Sequence, residues 1–111
     1  MGTYKMFRDS FSNERRLAWI RSKAQAEFRG EVWNISWEEF CHFWKTPSLW
    51  SRRGRHINNL VLTRYNVEAP WDKDNCCIIT RDCHLKAKIN RKLGRDFDEY
   101  FTEAIWYDGR R

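Results

Sequence analysis

The chain has 111 residues, and 21 Lys and Arg against 15 Asp and Glu give it a formal net charge of +6. That length suffices for one domain with its own core, and seven Trp, seven Phe and four Tyr supply apolar area that disordered chains lack. The positive balance favours a phosphate-bearing partner over an acidic-site enzyme, and no apolar run approaches the roughly 20 residues of a bilayer crossing.

The start, Met1-Gly2-Thr3-Tyr4-Lys5, lacks the apolar stretch of a secretory signal. The expectation is a cytoplasmic protein with no membrane partner. Residues 1–11 read as a leader in which Phe7 and Phe11 can dock on the core, and residues 12–111 as a single α+β domain. From Ser12 to Phe28, Leu17, Ile20, Ala24 and Phe28 recur at helical spacings, with Ser12 as cap and Gly30 as stop. That stripe is expected to face the core. Arg15, Arg16, Arg21, Lys23 and Arg29 occupy the other faces, as a solvated surface or as phosphate contacts.

Ser36-Trp37-Glu38-Glu39 is a capping box, with Ile35 and Phe40 at the staple positions. A short helix is expected to follow to about Lys45, burying Phe40, Phe43 and Trp44 before Thr46-Pro47 ends it. His42 reads as a surface or packing residue. Trp50-Ser51-Arg52-Arg53-Gly54-Arg55-His56 then reads as an exposed basic loop, whose guanidinium groups fork onto phosphate oxygens while Trp50 stacks on a base.

Leu60–Tyr65 and Cys76–Thr80 have strand composition, and the stretch between them holds Pro70, Asp72, Asp74 and Asn75, which is ordinary turn chemistry. Thr80 caps a helix in which Leu85, Ile89 and Leu93 recur every fourth residue before Gly94, with Arg81, Lys86, Lys88, Arg91 and Lys92 on the other faces. Asp96 caps an expected last helix with Phe97, Tyr100, Phe101, Ala104 and Ile105 as its core stripe, and Trp106 and Tyr107 near its end. The expected fold is therefore α+β: two N-terminal helices, a β-hairpin followed by a basic helix in a ββα-like unit, and a C-terminal helix.

Cys41, Cys76, Cys77 and Cys83 contain no C-x-x-C pair, and adjacent Cys76 and Cys77 on a strand point to opposite faces. They read as reduced, half-buried thiols. A zinc site of Cys76, Cys83 and His84 is the alternative.

Strand, loop, strand and helix, with Asn75 opening the second strand and His84 in the helix's first turn, is the layout of a ββα finger. The run from Asp74 to Leu85 resembles the second half of an HNH endonuclease motif, of the His-Me finger superfamily, in which Thr-Arg-x-x-His opens the helix. Gly54-Arg55, Leu62-Thr63-Arg64-Tyr65-Asn66, Pro70-Trp71 and Asp74-Asn75-Cys76 are similar to small phage-encoded proteins related to HNH homing endonucleases. The segment Arg29–Phe40 has the same look, and the likeness spans roughly residues 14–88.

The resemblance implies that Asn75 braces the loop, that His84 binds a divalent metal, magnesium or zinc, and that the protein works in a host cell's cytoplasm. The family's first His, its general base, is missing: Arg64, Tyr65 and Asn66 stand near that place. His56 lies well upstream of it, and no acidic metal ligand precedes it. His84, Asn75 and His56 are thus the candidate catalytic set of a nuclease that has lost its base.

The leading functional expectation is a non-catalytic nucleic-acid-binding protein that uses Trp50, Arg52, Arg53, Arg55, Arg64, Arg81, Lys86 and Lys88. One alternative is a phage inhibitor of a host or defence protein, anchored by residues such as Trp50, Trp71 and Arg53. The other is a metal-dependent HNH-type nuclease. Nothing in the sequence speaks for a particular oligomeric state.

Overall fold

Helix α1 (Ser10–Phe28) stops where expected in the computed structural model, which describes residues 10–109. Gly30 takes a φ of 78°, so its amide reaches Glu27 O at 3.0 Å and the Glu31 amide reaches Ala26 O at 2.9 Å, the Schellman closure of a helix. The start differs from expectation, because the helix already begins at Ser10 and Ser12 lies in its first turn. Of the expected leader, residues 1–9, with Phe7, lie outside the described residues. Phe11 docks as expected, its ring 6.4 Å from that of Trp50.

Three hydroxyl caps set the next helices. Ser36 and Glu39 exchange the two bonds of the capping box ahead of α2 (Trp37–Phe43), which buries Phe40 and Phe43, with Trp44 buried just after it. Thr46 accepts from the Leu49 amide and opens a helix that the sequence reading missed, α3 (Pro47–Ser51), with Pro47 in the first turn where its missing N–H is harmless. Pro47 thus separates two helices, and Trp50, expected on a loop, belongs to the second. Thr80 caps α4 (Arg81–Lys92) through the Cys83 amide.

Between α3 and α4 the hairpin forms as expected. β1 (Leu60–Arg64) and β2 (Cys76–Thr80) pair antiparallel, Leu60 opposite Thr80 and Arg64 opposite Cys76. Alternation sends Leu60, Leu62, Cys76 and Ile78 to a cluster with Ala18, Ile35, Phe40, Phe43 and Trp44, and Val61, Tyr65, Cys77 and Ile79 to a second with Ala87, Phe101 and Trp106. Both faces of the hairpin are covered, so β2 reads as a nearly continuous apolar run.

Two helices turn a different face inward from the one their large aliphatics mark. On α1 the buried residues are Ala18 and Ala26, flanked by Arg15, Trp19 and Ser22, while Leu17, Ile20 and Ala24 are exposed and Phe28 is 93% exposed. On α4 Ala87 is buried, while Leu85, Ile89 and Leu93 lie outside. The cause is volume: Phe40, Phe43 and Trp44 fill the space under α1, and Tyr65, Phe101 and Trp106 the space under α4, so a close-packed interior admits only small side chains from the facing helix.

The C-terminal helix is also corrected. After Gly94 the chain makes one 3-10 turn (Asp98–Phe101) and then β3 (Ile105–Trp106), which pairs Trp106 with Cys77 and Ile105 with Ile78 on the far edge of β2. Cys76–Ile79 of β2 are buried, so their outward N–H and C=O groups need partners, and a strand satisfies them where a helix would not. Phe97, Phe101 and Trp106 instead gather round Tyr65, ring centres 5.0–6.2 Å away. No helix among the described residues is long and apolar enough to cross a membrane.

Candidate functional site

The basic loop after α3 is held against the start of β1. Leu60 N–H donates to Arg52 O at 2.8 Å, and Gly54 N–H to Leu60 O at 3.4 Å. Asn59 Oδ1 accepts from the His56 amide at 3.0 Å and would lie 2.5 Å from a Cβ placed on Gly54, so only glycine fits there. Asn59 O also accepts from Arg81 N–H at 2.7 Å, which ties the first residue of α4 to the same loop.

Across from this loop α1 presents Arg21, Ser22 and Gln25. With Arg53, Gly54, Arg55 and Arg81 they line a cleft of about 500 Å³ along β1, closed behind by Phe40, Trp44, Leu60, Val61 and Leu62. Three separate elements contribute four arginines, and no Asp or Glu is among the described lining residues. The Arg53 guanidinium sits 4.9 Å from the Trp50 ring centre, and its pKa is held below the ordinary value by desolvation and then by repulsion from Arg21. Guanidinium groups crowded into a concave wall have the chemistry to hold anionic groups, because their forks match phosphate oxygens.

Of the eight residues expected to contact nucleic acid, this cleft unites Arg53, Arg55 and Arg81. Trp50 is half-buried, edge-on to Trp44 at 5.7 Å, and Arg53 covers its ring, so it supports an arginine instead of offering a free stacking face. Arg52 points to a second cleft of about 390 Å³, shared with Glu99, Tyr100 and Glu103. Lys86 is exposed and pairs with Asp82 at 3.0 Å one turn back, and Lys88 is exposed on α4.

Arg64 is a correction. It is 9% exposed, bound to Glu31 Oε2 at 3.2 Å and Ala69 O at 2.9 Å, with the Trp71 ring 5.1 Å away. Glu31 also accepts from Arg29 at 2.9 and 3.1 Å and from Trp71 Nε1 at 3.0 Å. Its carboxyl is pulled down to about 2 by the Arg29 hydrogen bond first, and also by Trp71 and by the Arg64 and Arg29 charges, against desolvation. Arg64 is therefore a structural cation, out of reach of a phosphate backbone. Arg91 is structural in the same way, donating to Arg64 O and Tyr65 O at 3.1 and 2.8 Å and lying over Phe97.

Of the candidate catalytic residues, His56 is set apart from Asn75. Asn75 Nδ2 donates to Asn66 O and Pro70 O at 2.9 and 3.0 Å, and its Oδ1 accepts from the Asn66 amide at 3.0 Å, so its side chain braces the loop between the strands. Asn75 adjoins the Arg64–Cys76 end of the hairpin, whereas His56 and Asn59 adjoin the Leu60–Thr80 end, about 13 Å away along the strands.

His84 is half-buried, with Nδ1 3.1 Å from Thr63 Oγ1. Its pKa is lowered by desolvation and by Arg81, Lys88 and Arg91, neighbours that repel a metal cation as they repel a proton. Among the described residues no group of three or more His, Cys, Asp and Glu side chains is placed to hold a metal. The zinc alternative fails on topology, since Cys76 packs into one cluster and Cys83 against the other, on opposite faces of the hairpin. The four cysteines form no disulfide among the described residues, and burial drives the Cys76 thiol pKa upward.

Ser22 and Gln25 were not singled out by sequence reasoning, and Arg21 stood only among five basic residues of α1 read as a solvated surface or as phosphate contacts. Arg21 and Gln25 share a helix face by their spacing, but nothing local ties that face to the loop at residues 53–55. No family model, curated protein or solved structure matches the chain.

Proposed function

We propose that the chain is a non-catalytic nucleic-acid-binding protein of phage type, built round a degenerate HNH-like ββα unit, with the arginine cleft as its contact surface. The observation that carries this reading is the convergence of Arg21, Arg53, Arg55 and Arg81 on one cleft with no carboxylate among its described lining residues. Binding is favoured over hydrolysis because His84 is ringed by cations that repel a metal and, among the described residues, no group of three or more His, Cys, Asp and Glu is placed to hold one.

Four phosphate contacts give a salt slope of roughly −2.8 to −3.6, which is an affinity loss of about 50- to 150-fold between 50 and 200 mM salt. Fluorescence anisotropy with a labelled oligonucleotide measures this directly. The variant Arg53→Ala/Arg55→Ala, checked for unchanged thermal unfolding, is expected to halve the slope and lower affinity at least about tenfold at low salt. Wild-type slope and affinity in that variant would remove the cleft as the site.

A second reading, an inhibitor docked on a host or defence protein, is favoured by the exposed stripe Leu85, Ile89 and Leu93 on α4 among Lys86, Lys88 and Lys92. A purification partner that survives nuclease treatment and high salt, and is lost with Leu85→Lys/Ile89→Lys, would support it over the first.

A further inference from the structure

The cleft offers more than charge. Behind its guanidinium groups lie Leu60, Val61 and Leu62 of β1, with Phe40 and Trp44. β1 is an outer strand of the sheet, and its ladder begins with Arg81 N–H to Asn59 O and ends with Tyr65 N–H to Asn75 O. Hydrogen-bonded and non-bonded pairs alternate in antiparallel strands. Residues 59, 61, 63 and 65 therefore bond inward to β2, and Leu60 and Leu62 turn their N–H and C=O outward. Leu60 obeys this pattern, since its two groups meet Arg52 O and Gly54 N–H of the basic loop. The next outward donor and acceptor are those of Leu62, which lines the cleft. Trp44, in the same wall, is fully buried, and its Nε1–H has no partner among the described residues.

A phosphate backbone needs only the cations. Apolar side chains beside an outward-facing strand-edge donor and acceptor suit the face and edge of a heterocyclic base, within a volume typical of small-ligand sites. We infer that the cleft holds one unpaired nucleotide of a single strand. Its base lies against Leu62 with its edge on the Leu62 N–H and C=O, and its flanking phosphates meet Arg21, Arg53, Arg55 and Arg81. This rests on the nucleic-acid reading and narrows it to single-stranded substrate. A base inside a duplex reaches the cleft only by leaving its stack and its partner, whereas a single strand offers bases already free.

The test compares three labelled ligands of equal length at fixed salt: a base-bearing single strand, the same strand with abasic residues throughout, and a duplex. Wild type is expected to bind the base-bearing strand at least about tenfold tighter than either of the others. Gln25→Trp, on the exposed rim of α1, is expected to fill the cleft and reduce the ratio of base-bearing to abasic affinity to less than about twofold. Equal affinity for abasic and base-bearing strands, or tightest binding to the duplex, overturns the inference and leaves the phosphate-binding reading standing. Failure of every ligand to bind overturns both.

Discussion

Replacing Glu31 by Gln tests how the interior of the hairpin is held. The carboxylate joins the Schellman turn of α1 to Arg64 and to Trp71, and without it Arg64, 9% exposed, keeps only Ala69 O and the Trp71 ring. A carboxyl lowered from 4.5 to about 2 carries roughly 3 kcal/mol at about 1.4 kcal/mol per pH unit. The Arg29 contribution is screened, because that side chain is 49% exposed, so the expected loss is about 2 kcal/mol in urea unfolding at pH 7 with unchanged m.

The pH dependence has a definite sign. The folded pKa lies below the unfolded one, so the stabilisation is complete above pH 4.5 and is lost as pH falls from there towards about 2. The gap between wild type and Glu31→Gln should therefore close over that interval. A gap that stays constant with pH, or one under about 0.5 kcal/mol at pH 7, would refute the assignment of Glu31 as the counter-charge of a buried Arg64.

Gly54→Ala forces Asn59 away from its bond to the His56 amide, which should cost about 1–2 kcal/mol in chemical unfolding and weaken oligonucleotide binding, because Arg53 and Arg55 flank that glycine. On the helix faces, Ile89→Lys and Leu17→Lys should change the melting free energy by less than about 0.5 kcal/mol, whereas Ala87→Leu and Ala26→Leu should cost about 1–3 kcal/mol by overpacking. The opposite ranking would restore the aliphatic stripes as the buried faces. His84 should titrate below 6.5 by NMR. Since the unfolded chain takes up that proton first, stability should fall as pH drops below 6.5, and His84→Gln should remove this part of the dependence.

Features decided within a few residues were legible in the sequence. The capping box at Ser36, the stop at Gly30, the two strands and the cap at Thr80 all depend on neighbours along the chain, and each stands where the reading placed it. The basic loop at residues 52–55 was likewise recognisable as charge around a glycine, whose missing Cβ leaves room for Asn59.

Features that depend on what lies opposite were not legible. Aliphatic spacing marked Leu17, Ile20 and Phe28 as buried on α1 and Leu85, Ile89 and Leu93 on α4, but aromatic residues from elsewhere already fill those spaces, so alanines face inward. Arg64 reads like any other cation until the Schellman turn brings Glu31 against it. The segment after Asp96 has helical periodicity, yet the buried outer edge of β2 takes part of it as a strand. The charge that points to a polyanion was determined by the sequence alone. Its division into cleft-lining Arg21, Arg53, Arg55 and Arg81, and buried Arg64, was decided only by tertiary structure, because whether a guanidinium meets a phosphate or a carboxylate depends on which distant residue the fold sets beside it.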